Sequence, residues 1–130
     1  MEPENKYTIT RKQLDIFRAA KDALVLQGEP SIYFYKGTKD CAYRGNGGLK
    51  CAIGHIIRDG DYSRYMEGSS AGSSMTLAAI EKVTGPIDKD FVTRFQEYCH
   101  DNLDAVEPDG WAQAVEQSWG NLISETLIVD

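Results

Sequence analysis

The chain predicts an α+β domain, predominantly helical, with about four helices packed around a small antiparallel β-hairpin or short sheet. Two patterns predict it: apolar residues recur three or four apart in separate segments, and one aromatic, β-branched run is followed by glycine-rich turns. With 130 residues, 42% hydrophobic and 26% charged, the chain suits one domain with a core, expected over 10–127 behind a flexible polar tail at 1–9.

Thr10 and Gln13 form a capping box, and Leu14, Phe17, Ala20, Leu24 and Val25 then share a broad face, which predicts a first helix over 10–26 ended by Gly28 and Pro30. SIYFY at 31–35 has strand composition, with CAYR at 41–44 as its neighbour after the turn KGTKD. GNGG at 45–48 is a hairpin signal, because primed turns need positive φ, and LKCAIGHII returns as strand or helix. Residues 58–74 read as a long loop with a short helical turn near Tyr62 to Met66. Ser73 or Ser74 caps a short helix closed by Gly85-Pro86. A third helix from about Asp88 carries Val92, Phe95, Cys99, Leu103 and Val106 on its stripe. Pro108 opens the last, with Trp111, Val115, Trp119 and Leu122 on its buried face.

A formal net charge of −6 disfavours extended nucleic acid as a partner. No apolar run reaches the ~20 residues of a membrane span, so no membrane partner is expected. Three irregularly spaced cysteines and an N-terminus without signal-peptide character suggest a reducing, cytoplasmic setting.

The stretch CAYRGNGGLKCAIGH, residues 41–55, concentrates the chemistry. Structural zinc is disfavoured, because the gap between Cys41 and Cys51 is not a Cys-x2–4-Cys knuckle and Cys99 lies on an apolar stripe. No metal and no cofactor are expected. Cys51 is a candidate nucleophile if it begins a helix, with His55 or His100 as base, which is the pattern of a cysteine-dependent hydrolase or transferase. The bland alternative is a packed small residue.

The local charge is the sharper signal. Lys36, Lys39, Arg44 and Lys50 stand against Asp40 alone, a balance of +3 inside a chain of −6. Glycines 45, 47 and 48 let successive N–H groups converge on an anion, and Arg44 can add a fork. GNGGLK lacks the spacing and the Ser or Thr of a Walker A loop, so triphosphatase chemistry is not implied. Tyr33, Tyr35 and Tyr43 offer ring faces beside the cations. A solvated hairpin with edge lysines is the competing reading.

The combination CAYRGNGGLKCAIG, MEG at 66–68 and FQEYCHD at 95–101, followed by a tryptophan, resembles a group of small uncharacterised proteins encoded by tailed phages and prophages, over about residues 12–115. The resemblance singles out Cys41, Tyr43, Arg44, Lys50, Cys51, Gly54, Glu67, Gly68, Gln96, His100 and Asp101. It implies action in the cytoplasm of a bacterial host and a place among accessory proteins that counter host defences. The expected site is therefore a basic pocket for a small anionic, nucleotide-derived ligand, built from Tyr43, Arg44, Asn46, Gly47, Gly48, Lys50, Glu67, Gln96 and His100. Such a pocket would sequester a host defence signal and could be completed at a subunit interface of a homo-oligomer. The remaining reading is direct contact with a host defence protein through the acidic surface and loop 58–74.

Overall fold

Thr10 accepts the Gln13 N–H at 3.1 Å while the Gln13 side chain accepts the Thr10 N–H at 2.9 Å, so helix α1 (Arg11–Gln27) starts at the predicted capping box. Gly28, at φ 80°, ends it in the left-handed region and donates to Leu24 O. The computed structural model describes residues 5–35, 38–103 and 105–130, the side chains of 33–35, 38 and 39 excepted. The expectations placed on Lys36 and on the side chains of Tyr33, Tyr35 and Lys39 lie outside the described residues, as does the part of the tail at 1–4.

Helices α2 (Ser74–Thr84), α3 (Lys89–Cys99) and α4 (Pro108–Ser124) complete the helical set. Asp88 caps α3 through Asp90 N and Phe91 N, and Pro108 occupies the first turn of α4. The α3 stripe stops at Cys99, because the backbone leaves helical geometry at His100. Leu103 and Val106 still pack on the core from beyond that break. Helix α4 lies against both α1 and α3. Phe17 meets Phe91 and Phe95 edge-to-face at 5.0 and 4.9 Å, and Phe95 meets Trp119 at 5.9 Å. Burying each such ring contributes ~2–3 kcal/mol.

The strands differ from expectation in two ways. Strand β1 (Tyr7–Thr10) pairs in parallel with β4 (Thr126–Val129), Tyr7 opposite Thr126, so the domain begins before residue 10 and extends past 127. Tyr7 and Ile9 are buried in the core, the Tyr7 ring edge-to-face with Phe91 at 6.2 Å. β2 (Ile32–Tyr35) and β3 (Thr38–Cys41) form the antiparallel hairpin, with Ile32 opposite Cys41, so the second strand is TKDC and not CAYR. CAYR leaves the ladder because the Tyr43 and Arg44 N–H groups donate to Glu67 instead.

Residues 46–48 are a tight 3-10 turn, with Gly47 and Gly48 at φ 68° and 81°, and no strand follows. Two glutamines account for the missing strand. Gln27 takes both the N–H and the carbonyl of Lys50, at 3.0 and 2.9 Å, and Gln96 Oε1 accepts the Ile53 N–H at 2.9 Å. With those groups engaged by side chains, 50–57 has no edge to offer and folds into a single 3-10 turn, Ile53–His55.

Candidate functional site

A cleft of about 250 Å3 opens beside the hairpin. Ile32 and Ala42 supply its apolar lining, and Arg44, Gly45, Asn46, Tyr62 and Glu67 its polar lining. Arg44, Tyr62 and Glu67 are held by hydrogen bonds of their side chains. The Glu67 carboxylate accepts Tyr43 N–H at 2.9 Å, Arg44 N–H at 3.1 Å and the Tyr62 hydroxyl at 2.6 Å. Two consecutive amides converging on one carboxylate make an anion nest that the chain fills with its own side chain. Burial and the bond to Glu67 push the Tyr62 hydroxyl up to about 12, so it stays a donor.

Arg44 spans the cleft floor. Its Nη1–H reaches Gly54 O at 2.6 Å, and its Nη2–H groups reach Ile57 O at 2.8 Å and Asp59 at 3.0 Å. The guanidinium also lies 5.1 Å over the Tyr62 ring. The fork expected to bind phosphate therefore fastens the 54–59 segment instead. Its Nε–H and second Nη1–H have no partner among the described residues.

Of the nine expected ligand residues, Arg44, Asn46 and Glu67 line the cleft. Gly47 and Gly48 are exposed in the adjoining turn, and Lys50 stands half-buried beyond it. Tyr43 is in the core, its hydroxyl donating to Ser69 O at 2.5 Å. Gln96 and His100 are buried away from the cleft. Gly45, one of the three glycines expected to turn their amides toward an anion, lines the cleft too, and Tyr62 belongs to the site without having been expected there. The signal for Tyr62 was its place in an acidic, tyrosine-rich segment five residues before Glu67.

Gln96 and His100 form a polar network under the hairpin. The Ser31 N–H can only donate, so His100 Nε2 is its acceptor at 2.9 Å and Nδ1 carries the proton shared with Asp101 at 2.9 Å. Asp101 also accepts from Gln96 Nε2 at 2.7 Å. Both ring nitrogens of His100 are engaged, which removes it as a base for a thiol.

His55 donates from Nε2 to Gln27 Oε1 at 3.0 Å, and burial, with Lys50 and Arg44 nearby, holds it down at about 4. Cys51 is fully buried in the core, its sulfur accepting Gly54 N–H at 3.4 Å, so no substrate reaches it. The nucleophile arrangement thus lacks both access and an available base.

Among the described residues, no three His, Cys, Asp or Glu side chains gather where a metal ion could be held. No helix among the described residues is long and apolar enough to cross a membrane. No family model, curated protein or solved structure matches the chain.

Proposed function

We propose that the protein binds, without turning over, a small anionic nucleotide-derived ligand whose ring enters the cleft between Tyr62 and Asn46. The observation that carries this reading is the convergence of a guanidinium, a tyrosine ring, an amide and a carboxylate on one cleft from two segments about twenty residues apart. Its volume, about 250 Å3, lies just below the ~300–1,000 Å3 of drug-sized ligand sites and suits a single base. The Glu67 carboxylate accepts a base N–H, and the spare Arg44 donors meet a ring nitrogen or carbonyl. The phosphate stays at the rim, beside Asn46, the 45–48 turn and Lys50, because Glu67 already fills the inner nest. In the bacterial cytoplasm that the phage resemblance implies, such binding sequesters a host defence signal.

Asn46→Ala and Lys50→Ala test this reading, because no hydrogen bond of either side chain supports the fold among the described residues. Native mass spectrometry and thermal shift with cyclic and ADP-ribose-type nucleotides should show binding by the wild type. Each variant should bind at least tenfold more weakly with an unchanged apo melting temperature. Absence of any bound nucleotide and of any thermal shift refutes the reading.

A second reading, contact with a host defence protein, draws on loop 58–74. Tyr65 is 71% exposed, and Met75, just past the loop, is 49% exposed. A pull-down retained by Asn46→Ala and abolished by Tyr65→Ala would select it.

A further inference from the structure

The cleft presents its hydrogen-bonding groups in a fixed order, because most of their capacity is already used inside the protein. Among the described residues, Glu67 Oε1 accepts the Tyr43 N–H alone, whereas Oε2 accepts both the Arg44 N–H and the Tyr62 hydroxyl. With two lone pairs on each carboxylate oxygen, Oε1 keeps one acceptor position and Oε2 keeps none. Glu67 therefore has room for a single further N–H.

Tyr62 supplies the neighbouring acceptor. Its only hydroxyl proton goes to Glu67 at 2.6 Å, so the hydroxyl oxygen has lone pairs, and no proton, left for a ligand. The Arg44 guanidinium lies 5.1 Å over the Tyr62 ring and covers one of its faces, which leaves the hydroxyl edge as the polar feature of Tyr62 in the cleft. Donors come from Arg44 itself. One Nη1–H and both Nη2–H groups are directed at Gly54 O, Ile57 O and Asp59, and the Nε–H and second Nη1–H remain.

A guanidinium N–H beside two neighbouring acceptors selects among bases. Adenine and cytosine each present one amino group next to a ring acceptor, and uracil and thymine present one N–H between two carbonyls. Guanine alone among the common bases carries two adjacent N–H groups, at N1 and N2, next to a carbonyl at O6.

Resting on the nucleotide-binding reading above, we propose that the base held in the cleft is guanine, with Glu67 Oε1 accepting N1–H, the Tyr62 hydroxyl oxygen accepting an N–H of N2, and Arg44 donating to O6. The ligand class is then a guanine nucleotide. Tyr62 is the residue that separates guanine from hypoxanthine, which has the same O6 and N1–H but lacks the amino group. Losing that one hydrogen bond weakens binding about tenfold.

Titration calorimetry with guanosine, inosine and adenosine 5′-monophosphates tests this on the full chain and on Tyr62→Phe. The wild type should bind the guanosine nucleotide about tenfold more tightly than the inosine one, and the adenosine one more weakly still. In Tyr62→Phe the guanosine-to-inosine ratio should fall to about one. The wild-type ranking decides by itself if that variant is unstable. Adenosine monophosphate bound as tightly as guanosine monophosphate, or a guanosine-to-inosine ratio that Tyr62→Phe leaves unchanged, would overturn the guanine assignment while the nucleotide reading stands. Failure of all three to bind also overturns it, and the nucleotide reading falls with it only if the cyclic and ADP-ribose-type nucleotides fail as well.

Discussion

Replacing Glu67 separates its structural duty from any role toward a ligand. In Glu67→Ala the Tyr43 N–H, on a residue only 1% exposed, is left without an acceptor, which costs ~1–3 kcal/mol. The Arg44 N–H borders the open cleft, where water replaces the carboxylate, and adds ~0.5–1 kcal/mol. The Tyr62 hydroxyl regains water at little cost. The sum is a destabilisation of about 1.5–4 kcal/mol. Urea unfolding followed by the fluorescence of Trp111 and Trp119 reads it as a midpoint lowered by about 1–2 M at unchanged slope. Glu67→Gln keeps one acceptor but turns its amide N–H2 toward the other donors, and should fall about halfway between the two. A Glu67→Ala protein within about 0.5 kcal/mol of wild type would refute the internally filled nest.

Arg44→Ala should cost ~2–3 kcal/mol by stranding the Gly54 and Ile57 carbonyls, and Arg44→Lys should recover less than half of it, since an ammonium lacks the fork; melting temperatures decide. Gly54→Ala drives a methyl group into the Tyr43 carbonyl and should destabilise by ~2–4 kcal/mol in the same unfolding assay. His55 binds its proton at about 4 in the folded protein and near 6.5 when unfolded, so the unfolded state takes up the extra proton and stability falls as pH drops from 6.5 to 4. In His55→Gln the carboxylate contributions persist and this one disappears, so its stability should decline less steeply across that window. Equal slopes for the two proteins would show that His55 is not held neutral.

The helices were legible because their signals are local. Thr10 with Gln13, Gly28, Asp88 and Pro108 act on backbone within a turn of themselves, and the apolar stripes of α1, α3 and α4 follow the helical period. The β1–β4 pair was not legible, because each strand has four residues and its partner lies at the other end of the chain. The β2–β3 hairpin was foreseen, but its register depends on where Glu67 intercepts the amides of residues 43 and 44.

The site divides in the same way. Residue types alone mark 41–55 as unusual: glycines that tolerate positive φ, a local excess of cations, and two cysteines ten positions apart. What those residues meet depends on how distant segments pack. Arg44 finds carbonyls, Lys50 finds Gln27, Ile53 finds Gln96, His100 finds the Ser31 amide, and the nest finds Glu67. Hydrogen-bonding capacity is written in residue type, but the partner that satisfies it is selected by the packing of α1 and α3 beneath the hairpin. The cleft itself is assembled by Glu67 meeting the amides of Tyr43 and Arg44, 24 and 23 positions earlier in the chain.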